Sequence, residues 1–283
     1  MRTLEDALKE GRSLLKGKEI AEGDLDAWYL LSYYFKMDRT RFIMQSQMTI
    51  TEEQYKAYLD LIGKRSEHVP LQYITGEQEF MGFKFLVSKD VLIPRQDTEI
   101  LVEEIIKVSK DAEVLDLCTG SGCIIISLAK LGEIKSAVGV DISKAALLIA
   151  KENAKQLQAD VIFIESNMYS QISGKYDIIV SNPPYIPTQD IWSLMEEVKN
   201  HEPILALDGS ADGLYFYRII IDGLRQYLNP GGYLFFEIGY NQGEAVSELL
   251  REAGITDIKL KKDFAGLNRV ISGRYKKEEE PFT

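Results

Sequence analysis

The sequence predicts an α/β protein, built on a mostly parallel sheet with an antiparallel edge and preceded by a small all-helical domain. Three observations carry that reading. Residues 1–68 show helical spacing and helix-start signals with no strand-like run. From residue 98 onward, short apolar runs alternate with helix-length stretches, the order expected around a parallel sheet. The chain then closes on two strand-like segments, 258–262 and 269–275, joined by a short Gly-containing link that suits an antiparallel pair at one sheet edge.

The elements follow in order. Thr3 stands three residues before Asp6, a weaker version of the capping-box signal. Residues 24–37 are dense in Leu, Trp and Tyr with neither Gly nor Pro to break a helix. Thr51-Glu52-Glu53-Gln54 is a full capping box, and Ile50 and Tyr55 are placed for a hydrophobic staple. Beyond it Tyr55, Tyr58, Leu59 and Ile62 fall on one helical face, expected to be core. Residues 69–95 change character: Pro70, Gly76, Gly82 and Pro94 punctuate short aromatic and β-branched segments, and 79–87 reads as a hairpin with a Gly-containing turn. The expected organisation is therefore a helical domain over 1–68, a connector over 69–95 and an α/β domain over 96–283. Within the last, strands are expected at 113–117, 137–141, 161–164, 176–181 and 233–237, with helices at 98–108, 123–131, 144–156 and 213–227.

Composition limits the function. A net charge of −11 and the lack of any Lys/Arg-rich block argue against stable nucleic-acid binding, which needs cations to replace phosphate counterions. The two cysteines, Cys118 and Cys123, form neither a disulfide framework nor a metal-ligand spacing, so a reducing compartment is expected and no metal is implied. No run of 18 apolar residues occurs and the first residues lack an apolar signal core; the reading is a cytoplasmic protein without a membrane span. His68, His201, Trp28 and Trp192 have no chemistry-bearing neighbours and are read as structural. The charged run from Lys276 to Glu280 reads as a solvated end.

The first informative motif follows the first strand of the α/β domain: Asp116-Leu117-Cys118-Thr119-Gly120-Ser121-Gly122-Cys123. Its glycines let backbone turn sharply and approach a ligand, and the helix behind them opens with unpaired N–H groups. Asp141 ends the second strand, where a carboxylate can accept both hydroxyls of a ribose. The dinucleotide fingerprint wants a third glycine where Ile125 stands, and no Walker lysine follows. The Asp-x-x-Thr-Gly-Ser-Gly form resembles instead the first motif of class I, Rossmann-like methyltransferases that use S-adenosylmethionine.

The second motif ends the strand 176–181: Asn182-Pro183-Pro184-Tyr185. Ligands of open α/β sheets bind beyond the carboxyl ends of the strands, so both motifs are expected at one crevice. A carboxamide or aromatic amine nitrogen is a weak nucleophile with two N–H donors. The Asn182 side-chain carbonyl and the Pro183 backbone carbonyl supply two acceptors for them, consecutive prolines fix where those carbonyls point, and Tyr185 is expected to offer a flat face for stacking. Acceptors so placed orient the nitrogen and stabilise the charge that develops on it.

With both motifs in hand, the whole chain resembles the protein-(glutamine-N5) methyltransferases that act on class 1 peptide-chain release factors. The likeness includes Pro94-Arg95-Gln96-Asp97-Thr98-Glu99, Glu202-Pro203, Asp212-Gly213-Leu214, Glu237-Ile238-Gly239 with Gln242-Gly243, and Asp263-Phe264-Ala265-Gly266 with Arg269. The resemblance implies methylation of the glutamine of a Gly-Gly-Gln motif, with the helical domain and connector helping to hold the release factor. It implies that Thr119, Gly120, Ser121, Gly122, Asp141, Asn167, Met168 and Asn182 bind S-adenosylmethionine, and that Asn182, Pro183, Pro184 and Tyr185 hold the glutamine, with Asn182, Pro183 and Tyr185 at the chemistry. The chain departs from the family pattern at Cys118 (usually Gly), Asn167 (commonly Asp), Met168 (commonly aromatic) and Gln96-Asp97 (usually Pro-Glu). The same tetrapeptide occurs in adenine-N6 methyltransferases of DNA, the alternative function; a fold that has lost activity and a dehydrogenase fit less well.

Overall fold

The computed structural model describes residues 2–18 and 20–276. Of the charged C-terminal run only Lys276 falls among them; the rest of that run, and Met1, lie outside the described residues. In chain order the elements begin with β1 (Arg2–Thr3), α1 (Leu4–Lys16), α2 (Gly23–Phe35), α3 (Arg39–Gln45), β2 (Thr49–Ile50), α4 (Glu52–Ser66) and α5 (Leu71–Thr75). A hairpin of β3 (Glu77–Phe80) and β4 (Phe83–Leu86) follows, then α6 (Gln96–Ile106), β5 (Glu113–Leu117), α7 (Cys123–Leu131), β6 (Ser136–Asp141), α8 (Lys144–Leu157), β7 (Ile162–Glu165) and β8 (Tyr176–Ser181). The last part holds α9 (Glu196–His201), α10 (Tyr215–Tyr227), β9 (Leu228–Glu237), α11 (Gly243–Glu252), β10 (Ile255–Lys262) and β11 (Asn268–Tyr275).

Two compact units result. The first comprises residues 1–77 together with 195–201, the second residues 78–194 and 202–283. In the first unit both expected capping boxes form. Thr3 Oγ1 accepts from the Asp6 N–H at 3.1 Å while Asp6 Oδ2 accepts from the Thr3 N–H at 2.9 Å, and Thr51 and Gln54 repeat the pattern at 3.1 and 3.0 Å. The face carrying Tyr55, Tyr58 and Ile62 is buried with Ile50, Trp28, Leu4, Leu8, Leu15, Leu30 and Leu31 in one apolar cluster. An ion-pair group sits beside it: Arg65 Nε donates to Asp26 Oδ2 at 2.7 Å, and its Nη2 lies 2.8 Å from Glu197 Oε2 of α9. Burial raises the Asp26 carboxyl pKa, while the hydrogen bond and charge of Arg65 oppose the shift.

The second unit is the expected α/β domain. Its seven strands run in the order β10-β11-β9-β8-β5-β6-β7; the five from β9 to β7 are parallel and β10 and β11 are antiparallel at one edge. Apolar clusters cover both faces of the sheet. The expected strands and helices are present with ends shifted by a few residues, and β9 starts earlier, at Leu228. α11, not expected from the sequence, covers part of β10 and β11.

Two expectations are corrected. The units divide after residue 77, later than the expected 68, and the expected connector hairpin belongs to the second unit: Phe80 and Phe85 are fully buried in the cluster beneath α6 and α7. Burial of two phenylalanines, roughly 2–3 kcal/mol each, outweighs the Pro and Gly punctuation that reads as a connector. The hairpin turns through Met81 and Gly82, both at positive φ (50° and 75°), as a two-residue primed turn requires. Trp192, read as structural, is 80% exposed, whereas Trp28 is buried.

Asn153 on α8 ties the hairpin to the Gly-Ser-Gly loop. Its side chain accepts from the Leu86 N–H at 2.7 Å and donates to the carbonyls of Leu86 and Ser121 at 3.1 and 3.0 Å. Asn153→Ala strips three buried or half-buried backbone groups of partners and is expected to cost about 2–4 kcal/mol of unfolding free energy by urea titration. A loss below ~1 kcal/mol would show that water replaces the amide.

Candidate active site

The strand order reverses direction between β5 and β8: from β5 the chain moves outward to β6 and β7, then returns to the other side. This is the switch point at which a crevice opens above the strand ends. Four loops meet there around a cavity of about 510 Å³. The loop after β5 contributes Cys118, Thr119, Gly120 and Ser121; β6 ends in Asp141; the loop after β7 contributes Ser166, Asn167 and Met168; and the loop after β8 contributes Asn182 and Pro184. Of the residues expected at the site, Gly122, Pro183 and Tyr185 do not line the cavity.

The Gly-Ser-Gly loop has an internal logic. The Thr119 N–H donates to the Val140 carbonyl at 2.9 Å, and the Gly122 N–H closes the turn onto the Thr119 carbonyl at 2.8 Å. Gly120 and Gly122 both take positive φ, 55° and 78°. Their roles differ. A Cβ on Gly122 would lie 2.8 Å from Ile126 Cδ1, so this glycine packs the turn against its helix, whereas a Cβ on Gly120 would meet nothing within 4 Å. Gly120 thus leaves bare backbone at the cavity, a surface a ligand can approach closely. Cys118 sits at φ 61°, a left-handed position that favours glycine.

Asp141 faces this surface. Its Oδ2 accepts from the Gly120 N–H at 2.9 Å and its Oδ1 from the Ser143 N–H at 2.9 Å. A carboxylate offers about four acceptor positions, more than these backbone donors fill, so room remains for a ligand. Burial raises the Asp141 pKa, and the backbone donors pull the other way. Across the crevice Ser166 shapes the third loop: its hydroxyl donates to the Met168 carbonyl at 2.8 Å and accepts from the Gln171 N–H at 3.0 Å. Met168, at φ 49°, packs against the sheet cluster. A glycine-bared loop, a half-satisfied carboxylate and an apolar Met168 fit a ligand that carries a ribose and a flat ring.

The Asn182-Pro183-Pro184-Tyr185 segment leaves β8 beside this loop. Tyr185 turns its hydroxyl toward Glu237 Oε1 at 3.3 Å, and Glu237 Oε2 accepts from the Thr98 hydroxyl at 2.5 Å. Burial raises both the Tyr185 and the Glu237 pKa. Sequence reasoning missed the far wall of the cavity, which includes Leu92, Arg95, Pro203, Leu205, Tyr215 and Phe216. There Arg95 is paired with the buried Glu202, whose carboxylate also accepts from the Ile93 N–H at 3.3 Å. Pro94-Arg95 and Glu202-Pro203 carried a signal, but only through resemblance; nothing local in them announces a cavity wall.

The comparisons with known proteins bear on this geometry. Residues 6–76 match the family model described as the PrmC N-terminal domain, and residues 95–211 match the Methyltransferase small domain. A release factor glutamine methyltransferase of Geobacter sulfurreducens is 40% identical over 274 residues, covering 96% of each chain. One of Clostridium acetobutylicum is 41% identical over 276 residues, covering 95% of this chain and 97% of the relative. This chain belongs to the release factor glutamine methyltransferase family. A solved methyltransferase from Pyrococcus furiosus shares the fold alone, at TM-score 0.54 and 14% identity over 70% of this chain and 91% of that one.

In this family member one acid deserves a test of its own. Asp116 is fully buried under the glycine loop; Thr119 Oγ1 donates to its Oδ2 at 2.6 Å, and its Oδ1 has no partner. Burial, with the charge of Asp141 adding, pushes its pKa from 3.8 up to about 7. The folded protein therefore holds this proton where the unfolded chain has lost it, and stability falls as pH rises through that window. Asp116→Asn removes the titration, so the difference in Tm between variant and parent is expected to move in the variant's favour from pH 5 to pH 8. Parallel Tm–pH curves would refute the assignment.

Proposed function

We propose that this site transfers the methyl group of S-adenosylmethionine to the side-chain amide nitrogen of the glutamine in the Gly-Gly-Gln motif of class 1 release factors, in the cytoplasm. The observation that carries the reading is a single cavity shared by the Gly120 loop, Asp141 and Asn182, in a chain of this family. Among the described residues no helix is long and apolar enough to cross a membrane.

In this reading Thr119, Gly120, Ser121 and Asp141 hold the methyl donor's ribose and amino-acid end, and Asn167 and Met168 hold its adenine. Gly122 supports the turn. When bound, the donor supplies an electrophilic methyl on a sulfonium, and methyl transfer of this kind needs no metal. The protein's part is positioning. An amide nitrogen is a poor nucleophile because its lone pair is conjugated, so it must be presented at short range and in line. The Asn182 side-chain carbonyl and the Pro183 backbone carbonyl each accept one N–H of the glutamine. As the sulfur–methyl bond breaks and the nitrogen–methyl bond forms, the nitrogen gains positive charge and those bonds strengthen, which favours the transition state over the bound substrate; one N–H proton, acidified by the new bond, then leaves to water. Tyr185 completes the glutamine pocket, and the helical unit helps to hold the release factor.

The deciding experiment follows isotope from labelled S-adenosylmethionine into purified release factor with its Gly-Gly-Gln glutamine intact or changed to alanine, with duplex DNA alongside. Label on the intact factor only is expected. Label on DNA alone would move the reading to adenine, and label on the alanine form would move it to another residue. Asn182→Ala is expected to lower kcat by about 10²–10³-fold with little change in donor affinity, in line with losses on removing a charge-stabilising group. Asp141→Ala is expected to weaken donor binding by roughly 10–100-fold in calorimetry, the range for a charged hydrogen-bond partner; an unchanged Kd would remove Asp141 from the site.

A further inference from the structure

The Asn182-Pro183-Pro184 segment is short and stiff, and both of its ends are fixed. At the front, Ser181 closes β8 in register with Leu117 on one side and Phe236 on the other, and its hydroxyl donates to the Leu117 carbonyl at 2.6 Å. At the back, Tyr185 is held twice. Its carbonyl accepts from Gln242 Nε2 at 2.9 Å, and its hydroxyl donates to Glu237 Oε1 at 3.3 Å.

Gln242 is buried, and every part of its amide is used. Nε2 also donates to the Gly213 carbonyl at 3.3 Å, while Oε1 accepts from the Gly239 N–H at 2.9 Å; the Tyr217 hydroxyl, 3.4 Å from Oε1, gives its proton to the Glu237 carbonyl at 2.9 Å. The orientation is forced: a backbone N–H can only donate, so the atom facing Gly239 is the oxygen and the nitrogen faces the two carbonyls. Neither a carboxylate nor an apolar side chain can serve both directions at once. Glu237 is equally enclosed, with Thr98 on its second oxygen. Behind it, Arg269 joins Asp263 and Asp97 at 3.1 and 3.4 Å.

The backbone is walled in as well. A Cβ on Gly209 would lie 2.7 Å from Tyr185 Cα, and one on Gly213 would lie 2.3 Å from the Tyr185 carbonyl oxygen. Between the two clamps, Pro183 and Pro184 each have a locked φ. Few soft torsions remain, so a shift of Tyr185 is passed to the carbonyls of Pro183 and Asn182. Gln242 and Glu237 are buried behind Tyr185, and their side-chain polar atoms are taken up by protein partners.

We propose that Gln242 and Glu237 are positioning residues for methyl transfer: holding Tyr185 by its carbonyl and its hydroxyl, they set the direction in which Asn182 and Pro183 present acceptors to the substrate nitrogen. The inference rests on the glutamine reading above, and it gives a task to Glu237, Gln242, Thr98 and Arg269, which the sequence marked only by resemblance.

The test compares kcat, KM for the release factor and Kd for S-adenosylmethionine in the parent, Gln242→Leu, Glu237→Leu, Glu237→Gln and Tyr185→Phe, each checked for folding by circular dichroism and melting. The two leucine variants and Tyr185→Phe are expected to lose about tenfold to hundredfold in kcat, the cost of a misplacement near 1 Å, with donor Kd within about twofold. Glu237→Gln is expected to recover most of the loss. Its amide oxygen still accepts from Tyr185, and the Thr98 hydroxyl can turn to accept from its nitrogen. Variants that melt lower but keep the parental kcat would reduce the network to a structural one and overturn the proposal. So would a donor Kd that weakens in step with kcat. Where a leucine variant does not fold, Tyr185→Phe decides, since it removes a single oxygen; unchanged kcat there rejects the Glu237 clamp. A parent that labels no glutamine overturns the glutamine reading itself, an outcome distinct from an active parent with indifferent variants.

Discussion

Strands β5 and β8 lie side by side, parallel, with Leu117 opposite Ser181 as the last pair of the ladder. The rest of the site depends on that register. Parallel neighbours are about 4.8 Å apart, so two chains that leave the sheet at the same level leave it almost touching. Cys118 onward becomes the glycine-bared loop and Asn182 onward the proline-stiffened segment. A slip of one residue would turn every side chain of β8 to the opposite face, taking Ile179 out of one apolar cluster and Ile178 and Val180 out of the other. Core burial thus enforces the alignment of two loops that contribute little to the core themselves.

Around that junction the protein keeps acids under cover. Asp116, Asp141 and Glu237 are each shifted toward the neutral form, with burial the leading cause in all three. Burying a carboxyl is costly, and a fold tolerates it where hydrogen bonds compensate or where the geometry it enforces is needed. Thr119 bonds Asp116, the Gly120 and Ser143 N–H groups bond Asp141, and Thr98 and Tyr185 bond Glu237. Each acid grips a loop at the strand ends.

Much of this was legible in the sequence because its signals are local. Both capping boxes, the alternation of strands and helices, and the Gly-Ser-Gly turn with Asp141 are patterns of a few residues, and each appears where expected. What was not legible depends on distant partners. Phe80 and Phe85 look like linker aromatics until α6 and α7 cover them. The early start of β9, through Asn229-Pro230-Gly231-Gly232, contradicts the usual reading of Pro and Gly as strand breakers; the Asp177 side chain bonds Asn229 at 2.8 Å and the register to β8 shifts there. Tyr185 reads as a stacking face from its chemistry alone, and only Glu237, far along the chain, reveals where its hydroxyl goes.

Residues 195–201 fold with the helical unit although α/β sequence precedes and follows them. The polypeptide therefore passes from one unit to the other three times, after residues 77, 194 and 201. A helical unit inherited as a simple N-terminal cassette would arrive without Glu197, leaving Arg65 with Asp26 as its one remaining carboxylate of the pair. Exchange of the helical unit between relatives is thus constrained by a seven-residue stretch encoded more than a hundred residues downstream. The two units are expected to diverge in step, as one inheritance and not as interchangeable modules.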